Sequence, residues 1–342
     1  MRAMVLNSVK DLEYNSEPLE MIDFPKPIPA KHEVLIKVLA CGVCHTELDE
    51  IEGRTPPPRF PVVPGHQVVG IVESTGSMVT KLKPGERIGV AWIFSSCGKC
   101  SFCLSGHENL CSGFMATGRD AHGGYAEYMA VPELYTYPVP KVFTNSQAAP
   151  LLCAGAVGYR SLMLSGIEDG RNIGLIGFGA SAHLVLQIVK YRFPRTKIFV
   201  FTRSENERAF ARELGAFWTG DTMDDVPFKL DYIIDTTPAW KPVIQALRNL
   251  KPGGRLVINA IRKEETDKNE LLNLDFSEHL WMEKEIKSVA NVTRRDVTEF
   301  LSLAAEIPIL PEIQEYKLYD ANVALTELKK RKIRGAKVLV ID

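Results

Sequence analysis

Apolar and polar positions divide the chain into two textures. Up to about residue 150, short apolar runs such as Met4-Val5-Leu6, Val34-Leu35-Ile36-Lys37-Val38 and Val68-Val69-Gly70-Ile71-Val72 alternate with turn residues. Runs this short and rich in β-branched residues predict strands. Pro25, Pro27, Pro29 and the loop from Thr55 to Pro64 argue against long helices there, because proline lacks a backbone donor and clashes with the preceding turn. A β-rich, barrel-like domain is predicted. From about residue 155 strands alternate with helices: a short buried strand over Asn172–Gly177, a helix through Leu184–Val189, a strand over Lys197–Phe201, and strands at 231–234 and 255–259. Ser204 and Glu207 predict a capping box for a helix that ends near Leu214-Gly215, and Leu250-Lys251-Pro252-Gly253-Gly254 is expected to end the helix before the strand at 255–259. This alternation predicts a parallel sheet with right-handed crossovers. The last fifty residues change texture again. A helix is expected through Leu328, and a terminal strand over Ala336–Ile341 can return to the first domain.

Composition bounds the partners. A chain of 342 residues, 45% apolar and 24% charged, fits about two globular domains. A net charge of −1 gives no reason to expect nucleic acid or an anionic membrane as partner. No apolar run is long enough to span a bilayer, and the N-terminus lacks the apolar core of a signal peptide. The expected compartment is the reducing cytoplasm, where the seven cysteines read as metal ligands or core thiols rather than disulfides.

Three stretches carry chemistry. The first runs from Cys41-Gly-Val-Cys44-His45-Thr46-Glu47 to Gly65-His66-Gln67. A thiolate and an imidazole that meet in space are ligands for a borderline-soft ion such as zinc. Cys153 is the candidate third ligand, and three protein ligands leave one position open for substrate. The second is Cys97-Gly-Lys-Cys100-Ser-Phe-Cys103, followed by Cys111. Four thiolates at this spacing can close a tetrahedral zinc shell. An iron–sulfur cluster is the rival, although in the bacterial ferredoxin run the fourth cysteine follows after three residues. The third is Gly177-Phe-Gly179-Ala-Ser-Ala182, which follows a strand and opens a helix. That context suits a dinucleotide: Gly177 permits the turn, Gly179 admits the pyrophosphate and Ala182 allows close packing. At the end of the next strand an NAD enzyme places an acid. Here Thr202-Arg203-Ser204 stand instead, with no carboxylate before Glu205, so NADP(H) is the expected cofactor and NAD(H) the alternative.

In these motifs, and in their order, the whole chain resembles the zinc-containing alcohol dehydrogenases of the medium-chain dehydrogenase/reductase family. The resemblance implies an α/β fold in which a Rossmann doubly wound parallel sheet is inserted in a GroES-like β-barrel catalytic domain. Residues 1–153 would form that catalytic domain with its zinc lobe at 97–111, residues 154–289 the cofactor domain, and 290–342 a segment returning to the first. It implies two zinc ions per chain, a catalytic one on Cys44, His66 and Cys153 and a structural one on Cys97, Cys100, Cys103 and Cys111, with Cys41 left as a small buried residue. Thr46 would relay the substrate proton, His45 and Arg334 would contact the pyrophosphate, and Trp92 and Ile93 would line the substrate pocket. Two positions depart from the family pattern. Gln67 stands where a glutamate is usual, near the metal, and Asp49 where a histidine often completes the proton relay. The implied activity is reversible hydride transfer between a small-molecule alcohol and an aldehyde or ketone, in a homo-oligomer. Two alternatives are a same-fold reductase of a specialised cyclic or thioester-linked metabolite, and a regulatory protein without activity.

Overall fold

The computed structural model describes residues 1–307, 309–330 and 335–342. The chain divides into two units, Met1–Ala156 with Val292–Asp342, and Val157–Asn291.

The first unit is built on the eleven-residue strand Glu33–Val43. It pairs antiparallel with Val68–Thr75, with Tyr128–Pro132 and with the terminal strand Ala336–Val340. Register shifts at Leu35/Ile36 and Val38/Ala40 bend it, as bulges do, so that one strand serves several partners. Arg87–Val90 and Thr136–Pro138 extend the seven-stranded sheet on one side, and Ile313–Lys317 closes the other. Val34, Ile36, Val38, Val68, Val72, Met129, Val131 and Leu339 pack into one core beneath it. Burial of these side chains stabilises each by about 1.5–3 kcal/mol.

The second unit is a six-stranded parallel sheet. Its order is Trp218–Gly220, Lys197–Phe201, Asn172–Ile176, Leu230–Asp235, Leu250–Ile258 and Glu285–Ser288. Numbered along the chain this is 3-2-1-4-5-6, the doubly wound order, whose ligand site lies where the order reverses. That point falls between Asn172–Ile176 and Leu230–Asp235, which pair directly. Strands buried on both faces need continuous apolar runs, and Ile173, Leu175, Ile176, Phe199, Val200, Ile233 and Ile234 are all buried.

Three details differ from the sequence reading. Leu250 ends the helix Lys241–Asn249 as expected, but the following strand starts already at Leu250 and runs to Ile258, interrupted by an irregularity opposite Leu230/Tyr232. The capping box at Ser204 is only half formed: Ser204 accepts from the Glu207 N–H, whereas the Glu207 carboxylate accepts from Thr202. The third is a helix the reading missed, Arg294–Glu306, although Thr293 and Asp296 form a full capping box and Val297, Phe300, Leu301 and Ala304 are buried at helical spacing. Among the described residues no helix is long and apolar enough to cross a membrane.

Candidate active site

Cys44 ends the long strand and caps the helix His45–Ile51 with an extended backbone, φ −138°. Its sulfur accepts from the Thr46 N–H at 3.4 Å, and its own N–H donates to Glu47 Oε2 at 2.8 Å. The helix start is therefore folded around the thiol. The other Glu47 oxygen, Oε1, lies 2.5 Å from His66 Nδ1, and both side chains are at most 1% exposed. Burial pushes the Glu47 carboxyl up, but the charge and hydrogen bond of His66 and the bonds from Cys44 outweigh it and hold the group below the usual carboxylate range. A neutral His66 ring that donates Nδ1–H to Glu47 would keep the Nε2 lone pair for a cation, and Nε2 lies 3.7 Å from Cys44 Sγ. Gly65 delivers His66 through a turn at φ +96°, where a Cβ would stand 2.3 Å from the Tyr125 ring and 2.8 Å from Cys41 Sγ. Cys153 lies on the π-helical turn Leu151–Gly155, seated because Gly155 lets the Phe300 ring approach to 2.2 Å of where its Cβ would be.

The ligand atoms of Cys44, His66 and Cys153 all lie within 4.8 Å of one another. The Cys44 thiol is pushed well above its ordinary value by its hydrogen bond with Cys153, by burial and by the Glu47 charge. Two thiolates therefore stay together there only around a cation. Two thiolates and a neutral imidazole suit zinc, and three donors leave one coordination position for another oxygen.

Cys97, Cys100, Cys103 and Cys111 form a second group within the same distance. The backbone N–H groups of Lys99 and Cys100 draw the Cys97 thiol down to about 6, and Ser96 Oγ lies 3.2 Å from Cys103 Sγ. Backbone donors aimed at sulfur favour thiolates ready for a metal. Four donors leave no open position. The lobe is tied down by Glu108, 2% exposed, which accepts from the Arg294 N–H at 2.7 Å and from Arg294 Nε at 3.1 Å.

In the second unit Gly177 leaves the first strand at φ +78°. A Cβ there would meet Thr236 Oγ1 at 2.7 Å, whereas one at Gly179 would meet nothing within 4 Å. Gly179 thus presents open space beside its backbone, and the buried Ala182 begins the helix Ala182–Arg192. A strand, a glycine turn and a helix N-terminus at the reversal point form the arrangement that receives a pyrophosphate.

Comparison with known proteins agrees with this geometry. The alcohol dehydrogenase GroES-like domain matches residues 30–141. A probable alcohol dehydrogenase of Mycobacterium tuberculosis is 40% identical over 329 residues, covering 95% of this chain and 93% of that protein. An alcohol dehydrogenase of Geobacillus stearothermophilus is 31% identical over 348 residues, covering 99% and 98%. The chain belongs to the zinc-containing alcohol dehydrogenases of the medium-chain dehydrogenase/reductase family. A cinnamyl alcohol dehydrogenase structure from Sorghum bicolor superposes with a TM-score of 0.85 at 27% identity, covering 99% of this chain and 97% of that one. This dehydrogenase is therefore an enzyme, an oxidoreductase that interconverts alcohols with aldehydes or ketones by hydride exchange with NAD(P).

The remaining positions of the dehydrogenase fall as follows. Thr46 is half-buried beside Cys44. Asp49 is buried and ion-paired with Arg54, Oδ1 to Nε at 2.5 Å. Gln67 is 3% exposed, its carbonyl accepts from the Gly42 N–H at 2.9 Å, and its Nε2 finds no partner among the described residues. His45 is exposed, and Arg334 lies outside the described residues. Trp92 stacks on Phe114 with ring centroids 5.2 Å apart, and Ile93 is a buried core residue. Thr202 departs from its expected role. Its one hydroxyl proton goes to Glu207, so it has none to give a phosphate. The sequence reading assigned no role to Glu47, although it stands in the quoted motif, nor to the Glu108–Arg294 tie. Glu47 carries a signal, being three residues after a cap, but its histidine partner lies nineteen positions away. The partner of Glu108 lies 186 away.

Glu47→Ala leaves His66 free to rotate and change tautomer. The expected result is a loss of about 10–100-fold in affinity for one metal ion, the range such supporting partners contribute, with the second ion retained in the lobe. Metal analysis after dialysis against a graded chelator checks it.

Proposed function

We propose that Cys44, His66 and Cys153 hold the catalytic zinc, that the four-cysteine lobe holds a structural one, and that the enzyme works with NADP(H) in preference to NAD(H). The observation that carries the first part is the buried Glu47–His66 bond aiming Nε2 at two converging sulfurs. Zinc held there supplies a Lewis acid for the substrate oxygen, and the nicotinamide supplies or accepts the hydride. The chain's own residues do the rest. Glu47 fixes the tautomer of His66. The Thr46 hydroxyl, beside the metal ligand Cys44, takes the proton of the alcohol oxygen and returns it in the reverse direction. Asp49, one helical turn on, is engaged by Arg54, which supports a relay that ends at Thr46 with Asp49 as a fixed counter-charge. Trp92 and Ile93 line the path to the metal, and Gly177, Gly179 and Ala182 receive the pyrophosphate.

The cofactor preference rests on the segment after the strand Lys197–Phe201. Arg203 is exposed and engages no partner among the described residues. The Ser204 hydroxyl accepts from the Glu207 N–H at 3.4 Å and donates to no group among the described residues, so its proton is available. The first acid, Glu205, is held by Arg208 at 2.8 Å and Arg212 at 2.7 Å, which damps its repulsion of a 2′-phosphate. A guanidinium and a hydroxyl without a competing acid favour that phosphate.

The reading extends to assembly and compartment. Glu285–Ser288 is an edge strand exposed along its length; it carries the exposed Ile286 and is preceded by the exposed Phe276, Trp281 and Met282. An uncovered edge with apolar neighbours pairs with another edge, and a second copy of this chain offers the same one, giving a homo-oligomer. All seven cysteines are free thiols, which fits the cytoplasm.

Three outcomes follow. Thr46→Val is expected to lower kcat by about 10²–10⁴-fold with zinc retained, the usual weight of an acid–base group; equal activity would show that the proton leaves by another route. Arg203→Ala is expected to lower the ratio of kcat/KM for NADP over NAD by about tenfold or more, the worth of a charged hydrogen bond; an NAD preference in the unmodified enzyme would overturn the assignment. Ile286→Lys is expected to reduce the particle mass measured by light scattering.

A further inference from the structure

Asp235 ends the strand Leu230–Asp235 at the reversal point and is fully buried; its Oδ2 is ion-paired with Lys263, whose side chain is 8% exposed. The Lys263 ammonium also donates to the carbonyls of Thr237 and Ala239, each at 2.9 Å, so all three of its protons are used. Asp235 Oδ1 accepts from the Thr237 N–H at 3.0 Å and from its hydroxyl at 2.7 Å. The segment 235–239 is thus wrapped around one cation, with the Trp240 ring 5.7 Å from Nζ.

Both segments that this pair joins touch the glycine turn. On one side the Thr236 N–H and hydroxyl donate to the Ile176 carbonyl, each at 2.9 Å, and Thr236 Oγ1 fills the space where a Gly177 Cβ would stand. On the other, Asn259 donates its backbone N–H to the Asp235 carbonyl at 2.7 Å and its side-chain amide to Ser181 Oγ at 3.4 Å. Ser181 lies inside the turn, between Gly179 and Ala182. A buried ion pair is a poor source of stability but a strict geometric constraint, because removing one partner strands the other charge. Here the constraint bears on the backbone that meets the cofactor.

We infer that Lys263 is a positioning residue for the pyrophosphate turn, holding through Asp235, Thr237 and Ala239 the two loops that seat Gly177 and Ser181. The inference rests on the reading of Gly177–Ala182 as that turn. Because the effect passes through the turn and not through the 2′-phosphate, it weakens NADPH and NADH alike, which separates it from the role of Arg203.

The test is the dissociation constant of each reduced cofactor, read by nicotinamide fluorescence on the metal-loaded protein, together with the thermal midpoint. Lys263→Met leaves Asp235 buried and unpaired, and lowers the midpoint. The double variant Asp235→Asn with Lys263→Met removes both charges and recovers the midpoint, yet the Thr237 and Ala239 carbonyls still lack their donor. The expected result is that both variants bind NADPH and NADH about tenfold or more weakly, as small misplacements of a binding backbone do, with metal content unchanged. Gly179→Val is the control, since its side chain enters open space and obstructs only the phosphates. If Gly179→Val loses binding while the double variant binds like the unmodified enzyme, Lys263 acts on stability alone and the inference falls. If Gly179→Val itself binds normally, the pyrophosphate reading of the turn falls first.

Discussion

The crowding of two half-buried thiols against one imidazole is the constraint on which the catalytic unit depends. Cys44 and His66 approach to 3.7 Å, with Cys153 beside them. The imidazole is buried together with the Glu47 carboxylate. Charge of one sign gathered in a low-dielectric interior is costly unless an opposite charge compensates it. A divalent cation is that compensation, so the features that make the site expensive as bare protein make it selective for a soft metal. Glu47 links the two requirements. It closes the first turn of the helix that bears Cys44 and Thr46, and it sets which nitrogen of His66 is available.

The scaffold delivers these groups from three separate places. The long bent strand ends at Cys44, the Gly65 turn presents His66, and a widened helical turn carries Cys153. The last two deliveries each depend on a close approach: Tyr125 against Gly65, and Phe300 against Gly155. Packing at this density transmits displacements instead of absorbing them. The second unit solves a different problem with the same economy. The order of its parallel strands opens a crevice at the reversal point, and the strand ends there supply a glycine turn on one side and the buried Asp235–Lys263 pair on the other.

Membership of the dehydrogenase family fixes the chemistry, whereas the individuality of this chain lies in a few positions around it. Gln67 presents an amide where the resemblance implies a carboxylate as the usual residue, and that amide nitrogen has no partner among the described residues. Asp49 carries a charge matched by Arg54, and Arg54 and Lys329 both bind Glu52. This small network ties the end of the Thr46 helix to the helix Ala321–Lys329. Glu50, on the same helix, is a buried carboxyl lifted well above the usual range by desolvation, and by Glu47 after that. The surroundings of the metal are thus more acidic in composition than in effective charge.

The sequence by itself determined whatever is encoded locally. Cysteines at fixed short spacing, glycines between a strand and a helix, and a proline-punctuated β-rich half followed by strand–helix alternation all depend on neighbours within a few residues. They specified the candidate metal donors and the architecture. Tertiary structure decided what depends on partners far along the chain. Glu47 found His66, Glu108 found Arg294, and Asp235 found Lys263, pairings that no periodicity marks because a carboxylate's partner is chosen by burial and not by spacing. It also reassigned hydroxyls. Thr202, which the sequence offers as a donor to a phosphate, gives its only proton to Glu207, since a buried donor takes the nearest acceptor once water is removed.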